Sequence, residues 1–318
     1  MSGPVLDLTR LALKRELYEG ETFFRQGLAE LVEAAEDRAG EVVHRTAMIV
    51  IKPDGMASGV LPTVLDFLAD MELDVVGVHS FAYSRLLWHA LWRFQLTSAT
   101  LDRLAVNEVV LDGTALLILL RDRTDGVLPA TVRLSSLKGS ADVSKQRPGT
   151  LRSRLRQPNR VLSLVHVPDE PADLVRELPL LLDRRTRRRA WSDLVEGRLS
   201  DGGDRALQEA ADSARRASTS FDVSGALERA ADLLEQLPAD VDAPARVRSL
   251  AALAAMRRGE RIAWRPLAAD LDRLHLELPR WDLAVLGTTF ITYDEPDMRK
   301  VIENVDPSAW TDSRPASA

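Results

Sequence analysis

The chain has 318 residues, no cysteine and a formal net charge of −6. Its length suits two domains, or one with extensions, and an apolar content of 45% supports a buried core and excludes global disorder. The lack of cysteine excludes disulfides, thiolate metal sites and cysteine nucleophiles, and the acidic balance excludes a molecule-wide polyanion binder.

Residues 5–38 read as one or two amphipathic helices. Leu6, Leu8, Leu11, Leu13 and Leu17 come first, then Phe23, Phe24, Leu28, Leu31 and Val32, with Gly20 between the two sets. Residues 46–51 read as a buried strand broken by Pro53-Asp54-Gly55. A helix is expected over 59–71, a strand over 74–81, helices over 84–94 and 98–107, and a third strand over 115–121. Residues 134–156 are polar and read as a long loop with short helical turns. A fourth strand is expected over 160–165 and a helix over 169–182. Two strand–helix–strand passages of this kind predict an α+β, ferredoxin-like sandwich.

Composition changes near Arg184-Arg185-Thr186-Arg187-Arg188-Arg189. This basic run reads as a solvated helix end rather than a nucleic-acid patch, because cations favour helix C-termini and no nucleic-acid signature accompanies it. Helices follow over roughly 204–218, 224–237, 244–258 and 266–277. Ser224 is the expected N-cap of the second, Gly259 the residue beyond the third, and Pro266 a first-turn proline. Residues 283–293 are rich in Val, Thr, Phe, Ile and Tyr and read as a strand. The expected organisation is an N-terminal helical extension over 1–43, an α+β domain over 44–185, a mainly helical domain over 190–310 and a tail over 311–318.

The residues that carry chemistry sit beside these strands and turns. His166 ends an apolar run, where a neutral imidazole can attack a γ-phosphorus atom. Glu177 lies eleven residues later, on the following helix, in reach of the second ring nitrogen. Lys52 is a point charge at a strand end. Arg133 and Arg152 are planar forks suited to phosphate oxygens. Asp54 and Gly55 read as turn-makers. Trp88, Trp92 and Phe94 read first as core, with a ring pocket as the less common use. His44, His79, His89 and His275 have no metal-like spacing, so no zinc site is expected.

Ile51-Lys52-Pro53-Asp54-Gly55, Arg133, Pro148-Gly149-Thr150-Leu151-Arg152 and His166 with Asp169 and Glu177 occur in an order that resembles the nucleoside diphosphate kinases over about residues 44–185. The resemblance implies that family's four-strand sandwich. It implies a phosphotransferase in which His166 is the phosphorylated nucleophile, Glu177 orients it, and Lys52, Arg133 and Arg152 bind phosphate. The donor would be ATP or another nucleoside triphosphate with Mg²⁺ carried by the nucleotide. Ser140, Ser163, Asn159 and Trp92 are the positions left for further nucleotide contacts.

The chain also departs from the family pattern. Val167-Pro168 follow the histidine in place of Gly-Ser. Ser163 stands where the ribose asparagine is expected, and Ala141 where a phosphate-binding threonine is expected. Thr100-Leu101 replace the aromatic that stacks on the base. The expected acceptor is therefore specialised: an unusual nucleotide or another phosphorylated metabolite. The alternative is a catalytically weak or inactive nucleotide-binding scaffold. The region after residue 190 is expected to supply replacement contacts.

Arginine-rich, alanine- and leucine-rich usage suggests a GC-rich bacterial genome. The first ten residues carry no leader pattern, and the longest apolar run, Ala115 to Leu120, is too short to cross a bilayer. A cytoplasmic protein is expected, with no membrane or nucleic-acid partner. A small homo-oligomer, a dimer, is the expected assembly.

Overall fold

Alternation along the central strands divides one sheet into two apolar faces. Ala47, Ile49 and Ile51 point into one buried cluster, Met48 and Val50 into the other. Leu116, Ile118 and Leu120 share the first face, and Ala115, Leu117 and Leu119 the second. The computed structural model describes residues 7–217, 219–238 and 241–311. Leu6 of the expected first helix and residues 312–318 of the expected tail lie outside these.

The sheet contains β1 (Thr46–Ile51), β2 (Leu73–Tyr83), β3 (Gly113–Asp122) and β4 (Val165–His166). Its order is β2-β3-β1-β4, and every neighbouring pair is antiparallel. This is the expected ferredoxin-like α+β arrangement.

Two helices precede the sheet, α1 (Ala12–Glu19) and α2 (Thr22–Ala35), divided at Gly20 as the apolar spacing predicts; a short α3 (Ala39–Arg45) leads into β1. Between the strands lie α4 (Pro53–Ala57), α5 (Leu61–Asp70), α6 (Arg85–Leu91), α7 (Leu101–Val110), α8 (Ala130–Lys138) and α9 (Leu151–Arg154). Then follow α10 (Pro171–Leu181), α11 (Arg184–Glu196), α12 (Asp201–Arg216), α13 (Val223–Glu235), α14 (Ala243–Arg257), α15 (Trp264–Arg273) and α16 (Arg280–Thr289). No helix among the described residues is long and apolar enough to cross a membrane.

Helix α10 is fixed from two sides. It packs on α2 closely enough that a Cβ at Gly27 would overlap the Val175 carbonyl oxygen. At its first turn, Glu170 is fully buried and accepts from Thr9 Oγ1 (2.6 Å), the Arg10 amide (2.8 Å) and Trp310 Nε1 (3.1 Å). Lys14 lies 2.8 Å from both Glu170 and Asp173. Residues from both ends of the described chain therefore meet at the helix start.

The later helices continue the same body. Helix α12 packs on α5 and β2, and α16 and α15 pack on α7. A segment beyond α16 runs along residues 94–100: Thr100 N donates to Tyr293 O (3.1 Å), Glu295 N to Ser98 O (2.8 Å) and Val301 N to Phe94 O (2.8 Å).

Four expectations are corrected. Residues 283–293 are mainly the helix α16, not a strand, because Ala284, Val285 and Leu286 are buried together between α7 and α13 and tertiary packing overrides β propensity. The expected loop over 134–156 opens inside α8. The fourth strand is only two residues long: Asn159 Oδ1 takes the Val161 and Leu162 amides, and Leu164 has a φ of 61°, so the backbone leaves the ladder there. The basic run begins a helix instead of ending one. Asp183 caps α11 by accepting from the Arg185 and Thr186 amides, and Arg187 is buried against Glu30 (2.6 Å). At the level of caps, α13 is preceded by Asp222 and not Ser224.

Candidate active site

Antiparallel pairing of β1 with β4 sets Val50 opposite His166 and Ile51 opposite Val165. The strand end of β1 therefore delivers Lys52 beside the strand end that carries His166. Gly55, in α4 just after Lys52, has no room for a side chain, since a Cβ there would overlap the Leu164 carbonyl oxygen. Helix α10 then turns back over β4. His166 Nε2 and Glu177 Oε2 share a hydrogen bond of 2.7 Å. The edge of the imidazole meets the Trp92 ring, with centroids 5.6 Å apart. Glu177 is buried, and burial raises its pKa against the opposing pull of His166. Among the described residues, Nδ1 of His166 forms no hydrogen bond, which leaves its lone pair for chemistry once a proton sits on Nε2.

These groups border a cleft of about 770 Å³. Eight lysines and arginines line it against three carboxylates, so the local charge opposes the −6 of the whole chain. Lys52 is buried and donates to Asp54 Oδ2 and Val161 O, each at 3.3 Å; burial lowers its pKa and Asp54 resists the change. Asp54 is thus the counter-ion of Lys52 as well as a turn residue. Arg152 donates to two carbonyl oxygens, Gly139 at 3.0 Å and Val165 at 3.3 Å. Its Nε is buried without a partner, and burial lowers its pKa to about 10. An unpaired buried donor costs about 1–3 kcal/mol, and an anion in the cleft would recover it.

Lys138, the last residue of α8, is a further cation at the cleft. Its Nζ lies 3.4 Å from Ser135 Oγ, Val167 O and Asp169 Oδ1. Burial lowers the Lys138 pKa. For Asp169, burial alone would raise the pKa, but the Lys138 ammonium and the Ser135 hydroxyl hold it well below the usual carboxylate range. A depressed carboxylate contributes stability that is present above the ordinary aspartate range and is lost as pH falls through the lowered folded value. Asp169→Asn is therefore expected to lower the thermal midpoint at pH 7, with the difference from the parent shrinking in acid. A deficit that stayed constant from pH 7 to pH 2 would contradict this assignment.

The structure brings Lys52, Trp92, Ser140, Arg152, Ser163, His166 and Glu177 to one cleft. Two expected residues are not there. Arg133 donates to Asp122 Oδ2 (3.1 Å) and Met71 O (2.7 Å) on the other side of α8. These two contacts hold its guanidinium away from the cleft, although Ser135 and Ser136 on the same helix line it. Asn159 does not line the cleft; its amide is committed to Thr288 Oγ1 (2.9 Å) and to the turn at Val161 and Leu162. Sequence reasoning missed Lys138, Arg103, Asn107 and Arg160, all of which line the cleft. Arg103 and Asn107 carried a usable signal, a four-residue spacing on one helix face.

The C-terminal segment supplies the far wall through Lys300, Asn304, Val305 and Pro307. Asp294 bridges it to the rest, accepting from Arg103 Nη1 (2.6 Å) on one oxygen and from Arg160 Nη1 (2.5 Å) on the other. No group of three or more possible metal ligands occurs among the described residues.

No protein-family model matches the sequence, and no curated protein matches it. Solved structures do. The chain is similar to a halophilic nucleoside diphosphate kinase from Halobacterium salinarum in complex with CDP, at 22% identity and a TM-score of 0.35, over 44% of this chain and 92% of that one. It is similar to the Aquifex aeolicus nucleoside diphosphate kinase at 17% identity and a TM-score of 0.37, over 44% and 96%. It is similar to the nucleoside diphosphate kinase of Encephalitozoon cuniculi at 15% identity and a TM-score of 0.36, over 43% and 87%.

Proposed function

We propose that the cleft is a phosphotransferase site that works through a phosphohistidine, in the manner of the nucleoside diphosphate kinases the sequence resembles. The observation that carries this reading is the 2.7 Å His166–Glu177 pair beside the buried cations Lys52, Lys138 and Arg152. Nδ1 of His166 attacks the γ-phosphorus of a nucleoside triphosphate. The P–O bond to the β-phosphate breaks, and the nucleoside diphosphate leaves with that electron pair. Glu177 holds the Nε2 proton and stabilises the positive ring that forms. An oxygen of the acceptor then attacks the phosphorus and the P–N bond returns its electrons to His166.

The lysines and Arg152 balance charge on the transferring phosphoryl group. The donor is the magnesium complex of the nucleotide, with the ion carried by the phosphates. The cleft's own carboxylates fit an ion carried by the nucleotide, since each is already engaged: Glu177 by His166, Asp169 by Lys138 and Ser135, and Asp173 by Lys14 and Tyr18. The acceptor is a specialised nucleotide or another phosphorylated metabolite.

Incubation of the purified chain with γ-labelled ATP and magnesium tests this. The expected result is acid-labile, base-stable label on His166. ATP binding without label would instead support a nucleotide-binding scaffold.

A further inference from the structure

We propose that Gln95, Arg103 and Asn107 form a subsite that holds the nucleoside end of a nucleotide by hydrogen bonds instead of ring stacking. The proposal rests on the reading of this cleft as a nucleotide-phosphate site and adds what recognises the other end of the ligand.

Three polar side chains with hydrogen-bonding capacity left over line that wall. Asn107 is only 5% exposed and lines the cleft from α7, yet its amide bonds to nothing among the described residues. Arg103, one turn earlier on the same helix, has a buried Nε without a partner. Gln95, in the connection between α6 and α7, has a buried Oε1 without a partner and also lines the cleft. A buried polar atom without a partner is unfavourable, because water has been given up and nothing replaces it. Two such atoms, Gln95 Oε1 and Arg103 Nε, with the unpaired Asn107 amide beside them, make that wall a binding surface for a polar ligand.

The groups match a base edge in kind. An amide presents a donor and an acceptor side by side, and a guanidinium Nε adds a fixed donor; adjacent donors and acceptors are what base edges display. Leu96 and Leu111 line the cleft near them and give a flat ring apolar contact. The guanidinium is not free to wander, because Asp294 grips its Nη1 at 2.6 Å. Stacking is poorly served here. Trp92 has one face on Tyr83, with ring planes 25° apart, and its contact with His166 is edgewise. Tyr18 is buried with its hydroxyl on Asp173 (2.6 Å). A site built on hydrogen bonds rejects ligands that lack them more sharply than an apolar slot does.

Calorimetric titration of the full chain with each of the four common nucleoside triphosphates, and with inorganic tripolyphosphate, all with magnesium, tests the subsite. At least one nucleotide should bind about tenfold or more tighter than tripolyphosphate, the scale of a good base contact. Asn107→Leu, close in volume but apolar, should remove most of that preference and leave tripolyphosphate affinity within about twofold. Gln95→Leu, outside any helix, gives a second reading if Asn107→Leu does not fold. Equal affinity of the parent chain for nucleotides and tripolyphosphate would overturn the subsite and leave the phosphate site standing. So would a preference unchanged in the variants. Failure of every probe to bind would overturn both.

Discussion

His166→Ala is expected to abolish phosphoryl transfer and to leave the fold intact. The imidazole is the covalent carrier in the proposed reaction, so its loss removes the path rather than slowing it. The fold survives because the ring lies at the border of the cleft, with 14% of its side chain exposed. The buried Glu177 left behind is already pushed by burial toward its neutral form, so it can take up a proton instead of remaining an isolated charge. Glu177→Gln should cost less, on the order of 10–100-fold, by analogy with the carboxylates that orient metal-ligating histidines. The amide oxygen can still accept the Nε2 proton and keep the tautomer, but it no longer offsets the positive ring. Single-turnover labelling measures both. Turnover by His166→Ala at the parent rate would remove the phosphohistidine. A loss in Glu177→Gln equal to that in His166→Ala would give Glu177 a role other than orientation.

Arg176→Ala is expected to be the most destabilising single change at the site's supporting layer, by about 3–5 kcal/mol. Arg176 is 1% exposed and forms a fork on Glu21, with Nε at 2.5 Å and Nη2 at 2.9 Å. The same guanidinium donates to the Leu91 and Ala90 carbonyls at 3.0 and 2.7 Å, which ties α10 to the end of α6. Removing it leaves Glu21, 7% exposed, with only the half-exposed Arg93 at 3.4 Å as counter-charge. Urea denaturation gives the cost. Replacing both partners with methionine should recover most of it, since apolar substitutes for a buried pair are often neutral. A single-variant loss below about 1 kcal/mol would place the pair among the weak surface bridges. Glu177 is the next residue on the helix, so Arg176→Ala should also loosen the grip on His166.

Much of this was legible because it is local. Continuous apolar residues from Met48 to Ile51 specify a strand buried on both faces, and Lys52-Pro53-Asp54-Gly55 a sharp exit from it. The separation of His166 and Glu177 places them together whenever a turn and a helix follow the strand. The polar cleft walls were less legible. Arg133 and Lys138 are both cations on α8, and which of them faces the cleft is set by how that helix packs. The residues 134–156 lack the apolar periodicity that would have revealed the packed face. Asn159 offered the right side chain for a ribose, but nearby amides in its own turn captured it. Lys300 and Asn304 had no sequence signal at all, because their place is set by backbone pairing with residues 94–100. The late apolar segment misled for a related reason: a helix buried on most sides has no stripe, so its composition resembles a strand.

The carboxylate of Asp294 holds arginines that precede it by 191 and 134 residues. Translation runs from the N-terminus, so a growing chain contains His166, Glu177 and the three central cations well before this clamp exists. Contacts of such long separation are also the slow ones to close. The Asp294 clamp is therefore expected to close late, and a nascent chain would hold the proposed phosphohistidine centre before the wall that carries the proposed ligand selection.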